Sequence, residues 1–140
     1  MREILFRAKR IDNNEWVKGD LRQDRDLETA YISGWDYCIT DGGLEREPFE
    51  YEIDSKTLCQ FTGMIDKNGK RIWENDIVKY MWFGNEEVDI VEYRSTSIGL
   101  KENCNAVLTD ITEVIGNVFD DKHLLDKTDY RREQEKETED

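Results

Sequence analysis

The segment Ile65-Asp66-Lys67-Asn68-Gly69-Lys70-Arg71-Ile72 constrains the fold of this chain more than any other. Asn-Gly between apolar flanks is the strongest short-range signal for a β-hairpin, because both residues tolerate the positive φ that a two-residue reversal demands. A turn centred on Asn68-Gly69 sets Lys67 opposite Lys70, Asp66 opposite Arg71 and Ile65 opposite Ile72. An Asp66–Arg71 pair across such a ladder contributes about 0.2–1 kcal/mol. Glu74-Asn75-Asp76 then reverses the chain again, into a strand of β-branched and aromatic residues over 77–82.

The same signals recur upstream. Ile4, Leu5 and Phe6 lie in a short strand over 3–8, Asp12-Asn13-Asn14 supplies turn chemistry, and 16–21 returns as the second arm of a hairpin. Residues 22–28 are nearly all charged and read as a solvated loop. Within it, Asp24, Asp26 and Glu28 have the alternate spacing of a calcium loop. The glycine and the distal glutamate of such a loop are missing, so the solvated loop is preferred. Residues 31–40 are rich in aromatic and β-branched side chains, with Gly34 expected at a bulge or bend, and Asp41-Gly42-Gly43 is a turn. From 49 to 54 the alternation is strict: Phe49, Tyr51 and Ile53 share one face, and Glu50, Glu52 and Asp54 the other. The sole proline, Pro48, is placed just before this strand, where it displaces no ladder bond.

Further strands are expected over 88–93, 98–101, 106–109 and 111–119. After Phe119 the composition changes to mixed charge, with one helical turn expected around His123-Leu124-Leu125 and a frayed helix or disorder beyond it. The chain therefore reads as an all-β domain over 1–120 and a short charged C-terminal tail over 121–140.

Charge limits the partners. The chain has 33 acidic residues against 20 Lys and Arg, a net charge of −13, which repels phosphate backbones and anionic lipid. Direct nucleic-acid binding and membrane binding are disfavoured, leaving basic proteins, neutral surfaces or other copies of the chain. Four Trp, six Tyr and five Phe argue against disorder, so a folded body with a charged exterior fits the composition. Cys38, Cys59 and Cys104 are odd in number and far apart, as expected of free thiols in a reducing compartment, and the expected location is the cytoplasm of a host bacterial cell. No stretch approaches the ~20 apolar residues of a membrane helix.

Three blocks carry a resemblance. They are Arg2-Glu3-Ile4-Leu5-Phe6-Arg7-Ala8 followed by Trp16; the long run from Cys59-Gln60-Phe61-Thr62-Gly63 through the Asn68-Gly69 turn to Trp73-Glu74-Asn75-Asp76-Ile77-Val78; and Glu113-Val114-Ile115-Gly116-Asn117-Val118-Phe119. In order and spacing they are similar to the YopX family of phage and prophage proteins. The resemblance implies an all-β, barrel-like architecture with SH3-like strands, and assembly as a homo-oligomer is among what it suggests. It carries over no catalytic residue. Asn75 stands where the family usually has Gly, and since Asn is the next-best residue for a left-handed conformation the turn should survive. The segment Asp121-Lys122-His123-Leu124-Leu125 lacks the family's proline.

Residue chemistry adds no catalytic group. His123 is the only imidazole and is expected to be solvated; no Cys or Ser has it as a positioned base. Zinc would need the three scattered cysteines plus His123 without ligand spacing. Gly42-Gly43 and Gly63 lie among strands, not ahead of a phosphate-binding helix. Trp16, Trp35, Trp73 and Trp82 are expected in the core rather than on an aromatic ligand face. No catalytic, cofactor-binding or metal-ligating residue is assigned. The functional expectation is a phage or prophage accessory protein that acts without catalysis, by contact with an unknown protein partner or by self-assembly. The alternatives are an acidic decoy that mimics DNA and a small hydrolase that uses two carboxylates.

Overall fold

The computed structural model describes residues 4–25, 29–93, 98–103 and 112–125. The described chain is almost entirely β, as expected, with antiparallel pairing throughout the strand registers. It divides into two compact units, residues 1–61 and 62–140. The expected strand over 106–109, Cys104, the acids Asp26 and Glu28, and the tail from 126 onward lie outside the described residues.

In the first unit, β1 (Phe6–Lys9), β2 (Trp16–Gln23), β3 (Ala30–Thr40) and β4 (Gly43–Ile53) form a meander in the order β4-β3-β2-β1. The start of β5 (Cys59–Ile65) pairs with the free side of β1, through Phe6↔Gln60 and Arg7↔Cys59. The period-two pattern explains the core. Phe6 and Ala8, Val17 and Leu21, Ala30 and Ile32, and Phe49 and Ile53 converge on one face with Leu58. The β1–β2 reversal uses the expected turn residues, with Asn14 in the left-handed region at φ 61°. A 3₁₀ turn, Ser55–Thr57, is capped by the Asp54 carboxylate, which accepts from the Lys56 N–H at 3.0 Å.

Two expectations for this unit are corrected. Pro48 lies inside β4, not before it. The ladder runs unbroken through Trp35↔Pro48, so the proline nitrogen, having no N–H to give, faces away from β3 on the outer edge of the sheet. Gly34 is not a bulge: the register is regular, and a Cβ there would lie 2.7 Å from the Phe49 ring. The glycine instead makes room for the aromatic residue directly opposite.

In the second unit the remainder of β5 lies beside β6 (Arg71–Trp73). A four-stranded sheet follows, ordered β10-β7-β8-β9, from β7 (Asp76–Trp82), β8 (Asn85–Tyr93), β9 (Ile98–Leu100) and β10 (Glu113–Asn117). Its core is Ile72, Val78, Tyr80, Val91, Leu100 and Val114, with Met64, Trp82 and Ile98 against it. The 3₁₀ turn Lys122–Leu125 forms at the expected place and buries Leu124.

The β5–β6 hairpin exists, but its register differs from the expected one. Asp66 N–H donates to Lys70 O at 2.7 Å and Gly69 N–H to Asp66 O at 3.0 Å, giving a three-residue loop with Gly69 alone at positive φ, 80°. Asp66 therefore closes against Lys70, not Arg71. The reason is the Asp66 side chain, whose Oδ1 accepts from the N–H groups of Asn68 (2.9 Å) and Lys70 (2.8 Å) and so favours the longer loop. The tight two-residue reversal occurs instead in β7–β8, where Phe83 (φ 50°) and Gly84 (φ 80°) both take positive φ between Trp82 and Asn85.

Candidate functional site

β3 and β4 run side by side for eleven residue pairs, but β2 pairs with β3 only through Ala30–Ser33. Beyond Ser33 the two strands continue as a two-stranded arm, from Gly34↔Phe49 to Thr40↔Gly43. The alternation of side chains then sorts the arm into two faces. One carries Trp35, Tyr37 and Ile39 from β3 opposite Pro48, Arg46 and Leu44 from β4. The other carries Asp36, Cys38 and Thr40 opposite Glu47, Glu45 and Gly43.

The first face is apolar and uncovered. Trp35 is 49%, Tyr37 67%, Ile39 87% and Leu44 71% exposed. Its one charge, the Arg46 guanidinium, lies 4.3 Å from the centroid of the Trp35 ring, where its own stem and the indole shield each other. These four residues lie side by side on the arm, whereas the largest contiguous apolar patch of a typical monomer is only about 300–600 Å². A two-stranded ribbon with neither face packed is marginal in water by itself. An exposed apolar face of this kind makes the arm a candidate contact surface.

At the base of the arm, Asp20, Ser33, Gly34, Trp35, Pro48, Phe49 and Glu50 line a hollow of about 390 Å³. Glu50 is occupied by the Arg22 guanidinium, at 2.8 and 3.1 Å, which holds its carboxyl below the usual range. Arg22 also reaches Asp24 at 2.8 Å, which fixes the first of the three acids weighed as a calcium loop in an ion pair.

The second unit holds three carboxylates whose burial the sequence does not show. Asp66, Asp76 and Asp89 are each at most 3% exposed. Asp66 Oδ2 accepts from the Val114 N–H at 3.0 Å, tying the hairpin loop to β10. Asp76 Oδ2 accepts from the Trp73 N–H at 2.7 Å. Asp89 accepts from the N–H groups of Ile90 (2.7 Å), Glu102 (3.1 Å) and Asn103 (2.9 Å). A cavity of about 590 Å³ lies beside Asp89, among Tyr80, Trp82, Glu87 and Asn103. Burial raises the Tyr80 phenol above its ordinary pKa, against a hydrogen bond from Asn103. Each of the three carboxylates thus accepts from backbone N–H groups of its own unit. Among the described residues, no group of three or more His, Cys, Asp or Glu is placed to hold a metal ion.

Of the four tryptophans, Trp73 is buried and Trp82 packs half-buried against the core, as expected; Trp16 is half-buried under the Arg7 and Lys9 cations rather than in the core, and Trp35 is exposed. Cys59 is buried with its thiol on the Thr57 carbonyl at 3.2 Å, and Cys38 is a free thiol on the acidic face of the arm. His123 is exposed. No helix of the described residues is long and apolar enough to cross a membrane.

The comparisons agree with this architecture. The chain is similar to the protein EF1440 from Enterococcus faecalis, known from its crystal structure, with a TM-score of 0.61 and 20% identity, over 90% of this chain and 100% of that one. At that identity the likeness speaks for the fold alone. No curated protein matches the sequence. The YopX protein family matches residues 5–126, which span both compact units and the arm, and the chain belongs to that family.

Proposed function

We propose that the protein is a non-catalytic docking module of phage or prophage origin, and that the β3–β4 arm is its docking element. The observation that supports this reading is the exposed face of Trp35, Tyr37, Ile39 and Leu44 on a ribbon that no third strand supports among the described residues. Burying this face against a partner supplies the apolar layer the ribbon lacks, and aromatic side chains are the usual anchors of such contacts. The buried carboxylates of the second unit support the non-catalytic half of the reading, because their hydrogen bonds go to the chain's own backbone.

Site-specific photo-crosslinking in the native cell tests the proposal. A photoreactive amino acid at position 37 or 39 gives discrete protein adducts, and the same group at the exposed turn residue Asn13 gives none. Equal labelling from all three positions, or from none, contradicts it.

A further inference from the structure

We propose that the arm receives one extended segment of a basic partner protein, in which Lys or Arg alternates with apolar residues, laid along the open edge of β4. The inference rests on the docking reading above and names the occupant.

The edge is available. β4 is the last strand of its sheet, and among the described residues its outer side is paired only at the base. There Arg10 bridges Ile53, and the Ile11 N–H donates to Glu52 O at 3.1 Å. Among the described residues none pairs with the edge from Gly43 to Tyr51, so an added strand can form a main-chain ladder there. Pro48 removes one donor from that ladder and favours pairing toward the tip.

The alternation of β4 dictates the pattern of the added strand. Its side chains on one face lie beside Leu44 and Pro48 and extend the apolar surface; those on the other lie beside Glu45 and Glu47. An alternating apolar and cationic segment satisfies both faces at once. The hollow at the arm's base has the same preference, with Trp35 and Pro48 for an aliphatic stem and the Asp20 carboxylate for a cationic end. Charge weighs against a second copy as the occupant. Residues 30–53 hold six carboxylates and a single guanidinium, and the whole chain carries −13, so two arms repel where a basic segment is drawn in.

The test uses the full chain and two synthetic peptides, one alternating Lys with Val and one alternating Glu with Val. Calorimetry measures binding, and hydrogen exchange locates it. The Lys peptide binds and slows exchange at residues 44–47, while the Glu peptide does not bind. Reversing charge with Glu45→Lys and Glu47→Lys together weakens the Lys peptide about tenfold or more and admits the Glu peptide. Ile39→Asp weakens the Lys peptide while leaving the melting temperature unchanged.

Binding of the Lys peptide that ignores the reversal is plain attraction to an acidic body and overturns the inference. So does failure of the Lys peptide to bind, or a dimer joined through the arm in sedimentation. If crosslinks at positions 37 and 39 persist in those cases, the docking reading stands and only the basic occupant falls. If the crosslinks are absent too, the docking reading falls with it.

Discussion

Asp66 shows how one side chain decides a local structure. From the sequence it reads as half of a surface ion pair with Arg71; in the fold its carboxylate is buried and accepts three backbone N–H groups, from Asn68, Lys70 and Val114. Burial alone would raise its pKa, but these bonds and the nearby Lys70 ammonium hold it below the ordinary carboxylate value. Asp66→Asn puts an amide against at least one of these donors, and urea unfolding near neutral pH should show a loss of about 2–3 kcal/mol. The pH dependence follows from the sign of the shift. A carboxyl whose folded pKa lies below its unfolded value of about 4 stabilises the fold fully above that value. The contribution is lost as pH falls through the lower folded pKa. The difference in unfolding free energy between wild type and Asp66→Asn should therefore be constant from neutral pH to about 5 and shrink below about 4. Glu113 acts in the same direction: burial opposes, and Lys67 and Lys79, each at 3.2 Å, outweigh it.

At the scale of elements, strands and turns were legible because they rest on local chemistry. Asn75 is the clearest case: it takes φ 69°, the left-handed conformation that Asn tolerates better than other residues with a side chain. Asn75→Gly should be neutral or slightly stabilising, and Asn75→Ala should cost about 1–2 kcal/mol, as read by thermal or urea unfolding. What was not legible depends on longer-range contacts. The β5–β6 register is one instance: the Asn-Gly rule weighs only the two turn residues, whereas the Asp66 carboxylate closes the longer loop through Asn68 and Lys70 and is itself held by Val114 of β10. The arm was half legible. The alternation of Trp35, Tyr37 and Ile39 predicts an amphipathic strand, but the sequence cannot say that no layer covers it. Exposure of this face makes its own prediction. Ile39→Asp, which would cost several kcal/mol in a core, should change unfolding free energy by less than about 1 kcal/mol.

On the scale of the whole molecule, the all-β class and the family follow from residues spread over most of the chain, and the match over 5–126 agrees with the three blocks read from the sequence. The candidate site is not legible in the sequence because Trp35, an aromatic in an alternating strand, reads as a core residue, and only the fold shows it exposed. Each unit has its own apolar core and so does not require the arm's face to be buried inside it. That leaves the face free for contact with another molecule, which is the central claim. Oxidative footprinting with short-lived hydroxyl radicals tests it most directly, since Trp35 and Tyr37 are both reactive and exposed in the isolated chain. The account predicts strong labelling of both in dilute purified protein and marked protection in the native cell, with other exposed residues such as Met81 labelled alike in the two. Equal labelling of Trp35 and Tyr37 in both settings would contradict it.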